Sequence, residues 1–529
     1  MDTGYPPVEP SSSVTDGMRI ERDIAIELRD GVTIYTDVFR PIGDEPVPSL
    51  IAWSAYAKQE IRDDPYEPFP ERAGVPAGVP SRYAKFEGPD PLWWVPRGYA
   101  VINPDTRGSW NCEGDAVFWC DQEGRDIYDV VEWAAAQSWS NGRLGMSGVS
   151  YLAIAQWYAA AEQPPHLTAI NPWEGVSDLY RDFSFHGGIP ETTFNPGFLR
   201  YTATCTQMED FARMIEAHPL WDDYWETKAA QLERIEVPAY VVASWSDQGL
   251  HTRGTLEGFK RISSDQKWLE VHGQKKWEYY YRPDKLEKQQ QFFDHFLQGT
   301  DDAVLSWPPV LIEVRERHGS GFFREEREWP LARTEYRQLY LDAATATMSE
   351  EQPTEASSVT YRAEEPSGSV AFEYRFAEPT ELTGHMKLRL WVEAVDADDL
   401  DLFVGVHKID VNGGEVPFTY FAAWEDGPVA LGWLRASHRE LDASRSTPFQ
   451  PWHPHLREQR LAAGEIVPVE IEVLPSSTTF AEGERLRLVV AATDIRPHGM
   501  EHRRTRNAGR HVLHIGGPYD AHLLVPVVP

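Results

Sequence analysis

The alternation of apolar and polar positions predicts that the first part of the chain is built on strands with helices between them. Residues 20–28 and 32–39 alternate around the turn at Asp30-Gly31, which is typical of an antiparallel hairpin. From about residue 48 to 172, short apolar segments are separated by helical spacing at 123–136. This order predicts a parallel sheet with helices on both faces, and such sheets carry their sites at the carboxyl ends of strands. The short apolar segments span 48–54, 99–103 and 169–171.

The pattern changes twice further along the chain. Between residues 175 and 234 the strand signal fades and helical spacing dominates, which predicts an inserted helical cap. Strands and helices then alternate again as far as Gly299. Past about residue 305, strand-like segments recur with turns between them, which is typical of an all-β sandwich. The predicted helices span 206–218, 221–234, 252–261 and 286–297, and the predicted strands span 237–244, 268–271, 310–315, 336–341, 370–376, 386–395, 401–408, 466–473 and 485–491.

Composition excludes several kinds of partner. The chain of 529 residues is too long for a single core, and its formal net charge of −33 disfavours binding to nucleic acid or to an anionic membrane. No apolar run reaches the ~20 residues that span a bilayer. Residues 1–16 are polar and rich in Pro and Ser, unlike a signal peptide. We therefore expect a cytoplasmic protein.

Cysteine usage indicates a reducing compartment. The three cysteines, Cys112, Cys120 and Cys205, form neither a disulfide framework nor a Cys-x-x-Cys metal site. Free thiols are expected, and pairing of Cys112 with Cys120 across a loop is the alternative. The sequence predicts no cofactor and no metal.

The segment Gly148-Val149-Ser150-Tyr151 carries the strongest candidate chemistry. It follows a short apolar strand and precedes a helix, which is the setting of a nucleophile elbow, where a serine hydroxyl is lifted clear of a parallel sheet. The residue two positions after Ser150 is Leu152 rather than glycine, so the motif is imperfect. A serine that only caps the helix is the alternative, and Ser147, within the apolar run, is a rival nucleophile.

A serine nucleophile requires a base and an orienting carboxylate, and in sheets of this type they follow in the order Ser, Asp or Glu, His. Asp247 follows the predicted strand at 237–244, and His272 follows the next strand. We therefore predict that His272 takes the Ser150 proton and that Asp247 holds the imidazole in the required tautomer. A turn cap for Asp247 and an ordinary loop histidine for His272 are the alternatives. The rival bases are His251, His186 and His295.

The tetrahedral intermediate of acyl transfer also needs oxyanion donors. The backbone N–H of Tyr151, the residue after the nucleophile, is one candidate. The second donor is expected from the loop after the strand at 48–54, where Tyr56 offers a phenol hydroxyl. A packed aromatic ring is the alternative interpretation of Tyr56.

These residues together resemble the cocaine-esterase-like branch of the X-prolyl dipeptidyl-peptidase family of serine hydrolases. Three blocks carry the resemblance: Ala55-Tyr56-Ala57-Lys58, then Asp105-Thr106-Arg107-Gly108 with Glu113-Gly114 downstream, and Gly148-Val149-Ser150-Tyr151. Further similar segments lie around Asp247, at Phe292-Phe293-Asp294 and in the strand-rich region, so the resemblance covers nearly the whole chain.

The resemblance implies an α/β fold class, with an α/β-hydrolase core, an inserted helical cap and a C-terminal all-β jelly-roll domain. The implied boundaries are 1–174 and 236–304 for the catalytic domain, 175–235 for the cap and 305–529 for the jelly roll. The residues that it implies as functional are Ser150, Asp247 and His272 for a catalytic triad, and Tyr56 and Tyr151 for the oxyanion hole.

Two positions depart from the family pattern. Ala153 stands where the family often has glycine, a change that a tight helix contact could tolerate. The block His272-Gly273-Gln274-Lys275-Lys276-Trp277 differs from the Gly-Pro-Trp-x-His form of the family, which leaves His251 as the other candidate for the base.

The sequence therefore predicts a serine hydrolase that cleaves ester or amide bonds of a small-molecule substrate through an acyl-enzyme. The second interpretation is an X-prolyl dipeptidyl-peptidase or aminopeptidase-like activity, in which carboxylates bind the substrate α-amine. The candidates for that cluster are Asp178, Asp182 and Glu191. The third interpretation is a non-catalytic carbohydrate- or protein-binding protein built on the β-sandwich. The oligomeric state is left open, with a homo-oligomer as one alternative.

Overall fold

The computed structural model describes residues 5–59, 64–198, 207–365, 367–496 and 499–529. Within these residues, apolar side chains form one large core against the N-terminal sheet and another among the strands of the C-terminal part. A third, mostly aromatic cluster packs on the opposite face of the N-terminal sheet. The protein is thus an α/β part followed by a β-rich part.

The N-terminal sheet is parallel at its centre and antiparallel at both ends. Its strands and one separate ribbon, β8–β9, are β1 (Ser11–Thr15), β2 (Met18–Glu27), β3 (Thr33–Pro41), β4 (Val47–Ile51), β5 (Ala100–Pro104), β6 (Ser140–Val149), β7 (Leu167–Trp173), β8 (Phe185–His186), β9 (Ile189–Pro190), β10 (Ala239–Ser244), β11 (Lys267–His272), β12 (Val310–Arg317) and β13 (Ser320–Glu326). The pairing order is β1-β2-β3-β5-β4-β6-β7-β10-β11-β12-β13, and every pair from β5 to β12 is parallel.

The central strands are apolar along their whole length because both of their faces are covered. Val241 and Val242 of β10 show this, since one packs into the large core and the other into the aromatic cluster. Continuous apolar runs are typical of such doubly covered parallel strands. The hairpin predicted around Asp30-Gly31 and the parallel order predicted from residue 48 onward are both confirmed.

Helices cover this sheet, and they are α1 (Pro91–Trp94), α2 (Asp121–Ala135), α3 (Tyr151–Ala161), α4 (Phe194–Phe198), α5 (Phe211–Ala217), α6 (Asp223–Glu226), α7 (Thr252–Arg261), α8 (Lys276–Tyr281) and α9 (Pro283–Phe293). The prediction of a helix at 252–261 is confirmed, whereas the two helices predicted at 206–218 and 221–234 are shorter. Pro219 follows the cap of α5 and prevents its continuation. In the described ranges no helix combines the length and hydropathy of a membrane span.

The C-terminal part is β-rich. Its strands are β14 (Glu335–Asp342), β15 (Thr347–Ser349), β16 (Ser357–Arg362), β17 (Ser369–Arg375), β18 (Thr380–Val395), β19 (Asp401–Ile409), β20 (Glu415–Val416), β21 (Phe418–Tyr420), β22 (Trp424–Gly427), β23 (Ala430–Arg435), β24 (Val467–Phe480), β25 (Arg485–Ala491), β26 (Arg510–Ile515) and β27 (His522–Val528). Most pair antiparallel, and buried residues alternate with partly exposed ones along β18. A bridge between Arg315 of β12 and Thr478 of β24 joins the two parts.

Two of the three cysteines can be described. Cys112 and Cys120 are buried free thiols, so the alternative of a disulfide between them is wrong. Cys205 lies outside the described residues.

Candidate active site

Ser150 lies on the sharp turn between β6 and α3. Its backbone has φ 58° and ψ −115°, a strained conformation that is typical of a nucleophile elbow. The Ser150 N–H donates to the carbonyls of Trp173 and Glu174 at 3.0 and 3.1 Å, which holds the turn. Gly148 precedes it with φ 143°, and a Cβ at that position would lie 2.5 Å from the Leu152 side chain. The turn therefore has the small residue that it needs before the serine, and Leu152 fills the space after it.

Helix α3 lies close to the backbone that follows β7. A Cβ on Gly175 would lie 2.8 Å from the Cβ of Ala153. The glycine that this close contact requires is therefore on the strand side, which accounts for alanine at position 153.

Ser150, His251 and Asp247 form one chain of polar contacts. Ser150 Oγ and His251 Nε2 are 3.2 Å apart, and His251 Nδ1 makes a short contact with Asp247 Oδ2. Asp247 lies past the carboxyl end of β10, and its carbonyl accepts the His251 N–H at 3.0 Å, which closes a turn through Gly249 with φ 87°. Both side chains therefore project from one face of the turn, and both are buried.

His272, which the sequence predicted as the base, does not contact Ser150 but lies against Glu174, so this prediction is corrected. Its Nε2 is 3.1 Å from Glu174 Oε1, and its ring stacks on Tyr279 with centroids 3.9 Å apart. His272 is the last residue of β11, so the pleat of the strand directs its side chain. The loop between β10 and α7 is longer than the loop between β11 and α8, and it places His251 next to Ser150.

The sequence contains a signal for this arrangement. Asp247 and His251 are spaced Asp-x-x-x-His at the start of the predicted helix at 252–261, and residues four apart on a helical turn lie on the same side. The usual placement of acid and base after successive strands favoured His272 instead. In the structure, the turn closed by the hydrogen bond from the His251 N–H to the Asp247 carbonyl brings these two residues together.

Lys276, the first residue of α8, lies against the same carboxylate. Its Nζ donates to Asp247 Oδ2 at 3.0 Å and is 3.2 Å from His251 Nδ1. Burial alone would raise the pKa of Asp247, but Lys276 and His251 outweigh it and hold that pKa well below its usual range. Burial, and then Lys276, lower the pKa of His251 below its usual value although Asp247 opposes them.

The two predicted oxyanion residues are neighbours. The rings of Tyr56 and Tyr151 pack edge to face with centroids 5.7 Å apart. The Tyr151 hydroxyl donates to Glu123 Oε1 at 2.7 Å, and the same oxygen accepts the Trp53 indole N–H at 2.8 Å. Burial raises the pKa of Glu123 to about 7 although these hydrogen bonds oppose it. Glu123 thereby anchors the ring of the residue whose N–H begins α3.

Glu87 is a second buried carboxyl beside the elbow. Its carbonyl accepts the Val149 N–H at 3.0 Å, and its Oε1 accepts the Trp277 indole N–H at 2.7 Å. Burial raises the pKa of Glu87 to about 7, and Lys276, Trp277 and Tyr56 oppose this rise. Glu87 therefore titrates near neutral pH next to the residues that flank Ser150.

The C-terminal part holds the 247–251 loop in place. Gln248 Oε1 accepts the Leu431 N–H at 2.6 Å, and the carbonyl of Ser246 accepts the Phe421 N–H at 2.7 Å. The position of the acid and the histidine relative to Ser150 thus depends on strands from the other part of the chain.

The positive charge at this cluster comes from a lysine. Polar side-chain atoms of Glu174, Asp247 and His251 lie within 4.8 Å of one another. The Lys276 ammonium already contacts two of these three residues, so a positive charge from the chain itself lies at this cluster.

The three acids considered for binding an α-amine are occupied elsewhere. Asp182 pairs with Arg253 at 2.8 Å, and Asp178 pairs with Arg181 at 2.7 Å. Glu191 accepts backbone N–H groups of the turn that follows it. These carboxylates stabilise the fold around the site and do not form one cluster for an amine.

Family models match most of the chain. The model of the X-Pro dipeptidyl-peptidase (S15 family) matches residues 30–210, and the model of the X-Pro dipeptidyl-peptidase C-terminal non-catalytic domain matches residues 303–524. The second matched region contains β12 and β13 of the N-terminal sheet and nearly all of the β-rich part.

Individual relatives agree with the family models. A CocE/NonD family hydrolase from Staphylococcus aureus is 42% identical, with 97% of this chain and 94% of that chain covered and a TM-score of 0.93. Cocaine esterase from Rhodococcus sp. (strain MB1 Bresler) is 26% identical over 62% of this chain, and the match spans 63% of that enzyme's length. A putative serine esterase from Mycobacterium bovis is 22% identical over 89% of this chain and 90% of its own.

Proposed function

Because the chain belongs to the X-Pro dipeptidyl-peptidase (S15) family of serine hydrolases, and within it resembles the CocE/NonD hydrolases, we propose that Ser150, His251 and Asp247 are its catalytic triad. The reaction is hydrolysis of an ester or amide bond through a covalent acyl-enzyme. One observation carries the proposal, the 3.2 Å contact between Ser150 Oγ on a strained elbow and His251 Nε2.

In the first half of the reaction, Ser150 Oγ attacks the substrate carbonyl carbon while His251 Nε2 takes the hydroxyl proton. His251 then gives this proton to the leaving alcohol or amine as the bond to it breaks. In the second half, water attacks the acyl-enzyme, with His251 again as base, and Ser150 is released. Asp247 holds the Nδ1 proton and so keeps Nε2 free to accept.

The oxyanion of each tetrahedral intermediate needs preorganised donors. The Tyr151 N–H, at the start of α3, is the first donor in this proposal, and the Tyr56 hydroxyl is the second. The packing of the Tyr56 ring on the Tyr151 ring supports this pairing. The anchoring of Tyr151 through Glu123 supports it as well, because donors that are fixed in advance need no reorganisation during reaction.

The finer architecture and the surroundings are part of the same proposal. The catalytic domain spans 1–174 and 236–304, a cap spans 175–235, and a jelly roll spans 305–529. The substrate is a small-molecule ester or amide, and the protein acts in the cytoplasm. The hydrogen bonds between the 247–251 loop and the C-terminal part support a β-rich domain that shapes the site.

A peptidase acting on X-Pro substrates is the second candidate, because the matched family models are those of X-Pro dipeptidyl-peptidases. Such an enzyme must bind the substrate α-amine. Asp178 is engaged by Arg181, Asp182 by Arg253 and Glu191 by backbone N–H groups, which favours ester substrates without a free amine.

The test is covalent labelling with a fluorophosphonate probe, with the modified residue identified by peptide mass spectrometry. We expect the label on Ser150 and its loss in Ser150→Ala. Ser147→Ala is the matched control and should label at the wild-type rate. Labelling that persists in Ser150→Ala would contradict the proposal, and a protein that does not label at all would support the non-catalytic interpretation. A panel of aryl esters, aminoacyl esters and X-Pro anilides then separates the esterase from the peptidase.

A further inference from the structure

Lys276 is a buried ammonium in direct contact with both the acid and the base of the proposed triad. Only about 5% of its side chain is exposed. It donates to Asp247 Oδ2 at 3.0 Å and lies 3.2 Å from His251 Nδ1, the nitrogen that faces the carboxylate. In a triad of Ser, His and Asp alone, the carboxylate stabilises the protonated imidazole without a competing cation.

Burial of a lysine is costly unless its charge is balanced. Burial alone would lower the pKa of Lys276, but Asp247, Glu87 and Glu174 outweigh it and raise that pKa above its usual value. The side chain is therefore charged wherever the enzyme is folded at neutral pH. Its indole neighbour Trp277 lies with the ring centroid 5.1 Å from Nζ, which adds a favourable cation–π contact.

The charged ammonium affects the two protonation states of His251 differently. A neutral His251 donates its Nδ1 proton to Asp247 and tolerates the nearby cation. A protonated imidazole would place a second positive charge about 3 Å from the first, and like charges at this separation oppose protonation. Lys276 also neutralises part of the Asp247 charge that would otherwise stabilise the imidazolium.

We infer that Lys276 is a positioning residue whose ammonium, held between Asp247 and His251, keeps the base unprotonated at acidic pH and thereby sets the lower pH limit of hydrolysis. The inference rests on the proposed function of Ser150 and His251. Hydrolysis should therefore continue below the pH at which an ordinary histidine base is protonated.

Other titratable groups face the same cluster, and their titration also affects a pH profile. Glu174 follows β7 and lies near His251, His272 at the end of β11 contacts Glu174, and Glu87 of the loop before α1 faces Lys276. Tyr420 of β21 lies near Asp247. Of these, burial raises the pKa of Glu87 to about 7, so its titration falls within the pH range of the test. The fall in labelling rate on the acidic side of the pH profile is called the acid limb below.

The experiment measures the rate of phosphonate labelling of Ser150 between about pH 5 and pH 9 in the wild type, Lys276→Met and Lys276→Arg. In Lys276→Met the acid limb should move up by on the order of 1 pH unit, because a like charge beside His251 is removed. Labelling should then fall about 10-fold near pH 6 and change less than about 3-fold near pH 9. Lys276→Arg retains the charge and should keep the limb near its wild-type position.

Two outcomes would overturn the inference. One is a uniform loss at every pH with the limb unmoved, which a purely structural role predicts. The other is a limb that shifts as far in Lys276→Arg as in Lys276→Met. If the neutral variant does not fold, the wild-type profile still decides, because a limb at or above about pH 6.5 contradicts a base whose protonation is suppressed.

The controls separate this inference from the proposal on which it rests. Glu87→Gln should leave the acid limb in place, since the limb belongs to His251, and disappearance of the limb in that variant would contradict the inference. Normal labelling in His251→Gln would show instead that the proposed triad is wrong, whatever the Lys276 variants do.

Discussion

Two buried histidine–carboxylate pairs lie next to each other in this protein, and only one of them reaches the serine. His251 and Asp247 project from a loop beyond the end of β10, and the histidine touches Ser150 Oγ. His272 and Glu174 lie at the ends of β11 and β7, and the histidine ring stacks on Tyr279. Both pairs have the residue types of a base and its orienting acid.

The difference between the pairs lies in what supports them. In the strand-end pair, the pleat of β11 directs His272, Glu174 follows the end of β7, and both side chains are buried. The loop pair is built by the turn between Asp247 and His251 and is hydrogen-bonded to the C-terminal part through Gln248. A residue type at a strand end is therefore insufficient to identify a base, and the decisive feature is whether the backbone beyond the strand can bring the side chain back to the nucleophile.

The largest expected effect separates the two carboxylates. Asp247→Asn removes the acceptor that holds the His251 tautomer, and hydrolysis should fall by about 10⁴-fold. Glu174→Gln, the matched change in the other pair, should reduce hydrolysis by less than about 10-fold, because Glu174 is outside the proposed proton path. Steady-state kcat with an aryl ester measures both. An equal loss in both variants would remove the distinction between the pairs.

Changes in the strand-end pair should lower the stability of the protein rather than the rate of hydrolysis. His272→Phe preserves the stacking on Tyr279 but removes the imidazole nitrogen 3.1 Å from Glu174 Oε1, and this buried carboxylate then keeps its hydrogen bond from Ser244 but loses the neighbouring imidazole, which is costly. We expect the free energy of unfolding to fall by about 2 to 4 kcal/mol in denaturant titration. The double variant with Glu174→Gln should recover part of this loss. Additive losses would show that the two side chains do not interact.

Glu87 tests how the charge around Ser150 depends on pH. Burial raises the pKa of Glu87 to about 7, above the unfolded value near 4.5, so between these values the folded state holds a proton that the unfolded state releases. This group therefore makes the protein less stable as pH rises from about 4.5 to 7, by about 1 to 3 kcal/mol. Relative to the wild type, Glu87→Gln should gain stability across this window. An unchanged difference between the two proteins would contradict the raised pKa.

The smallest expected effect concerns the link between the loop pair and the C-terminal part. Gln248→Ala removes the acceptor for the Leu431 N–H, which loosens the loop and should lower kcat about 5- to 10-fold. Gln450→Ala is the control, because Gln450 hydrogen-bonds to Glu257 and Glu472 between the same two parts but away from the loop. A larger loss of kcat in the control would show that general loosening between the parts, rather than the loop, controls the rate.

The sequence predicted the sheet and the elbow because both follow from local signals. Apolar runs that are buried on two faces predicted the parallel strands, and the strand–turn–helix pattern around Ser150 predicted the strained turn. The position of Asp247 after a strand predicted it as the acid, and its carboxylate lies against His251 in the structure.

The contacts of His251 and Lys276 could not be derived in the same way. His272 satisfied the rule for chain order, but that rule does not encode the length of the loop after β10 or the turn that makes Asp247 and His251 neighbours. In the sequence, Lys276 stands out only because the segment 272–277 differs from the family pattern. Its contact with Asp247 requires α8 to pack against the loop after β10. A local turn therefore places His251, whereas packing between segments distant in sequence places Lys276.

The most direct test of the central claim compares His251→Gln with His272→Gln, an identical change in the two pairs. The rate of phosphonate labelling at Ser150 is measured for each folded variant at about pH 8, and unfolding curves confirm that both are intact. With His251 as the base, we expect a loss of about 10⁴-fold or more in His251→Gln and less than about 10-fold in His272→Gln. A crippled His272→Gln beside a near-normal His251→Gln would contradict it.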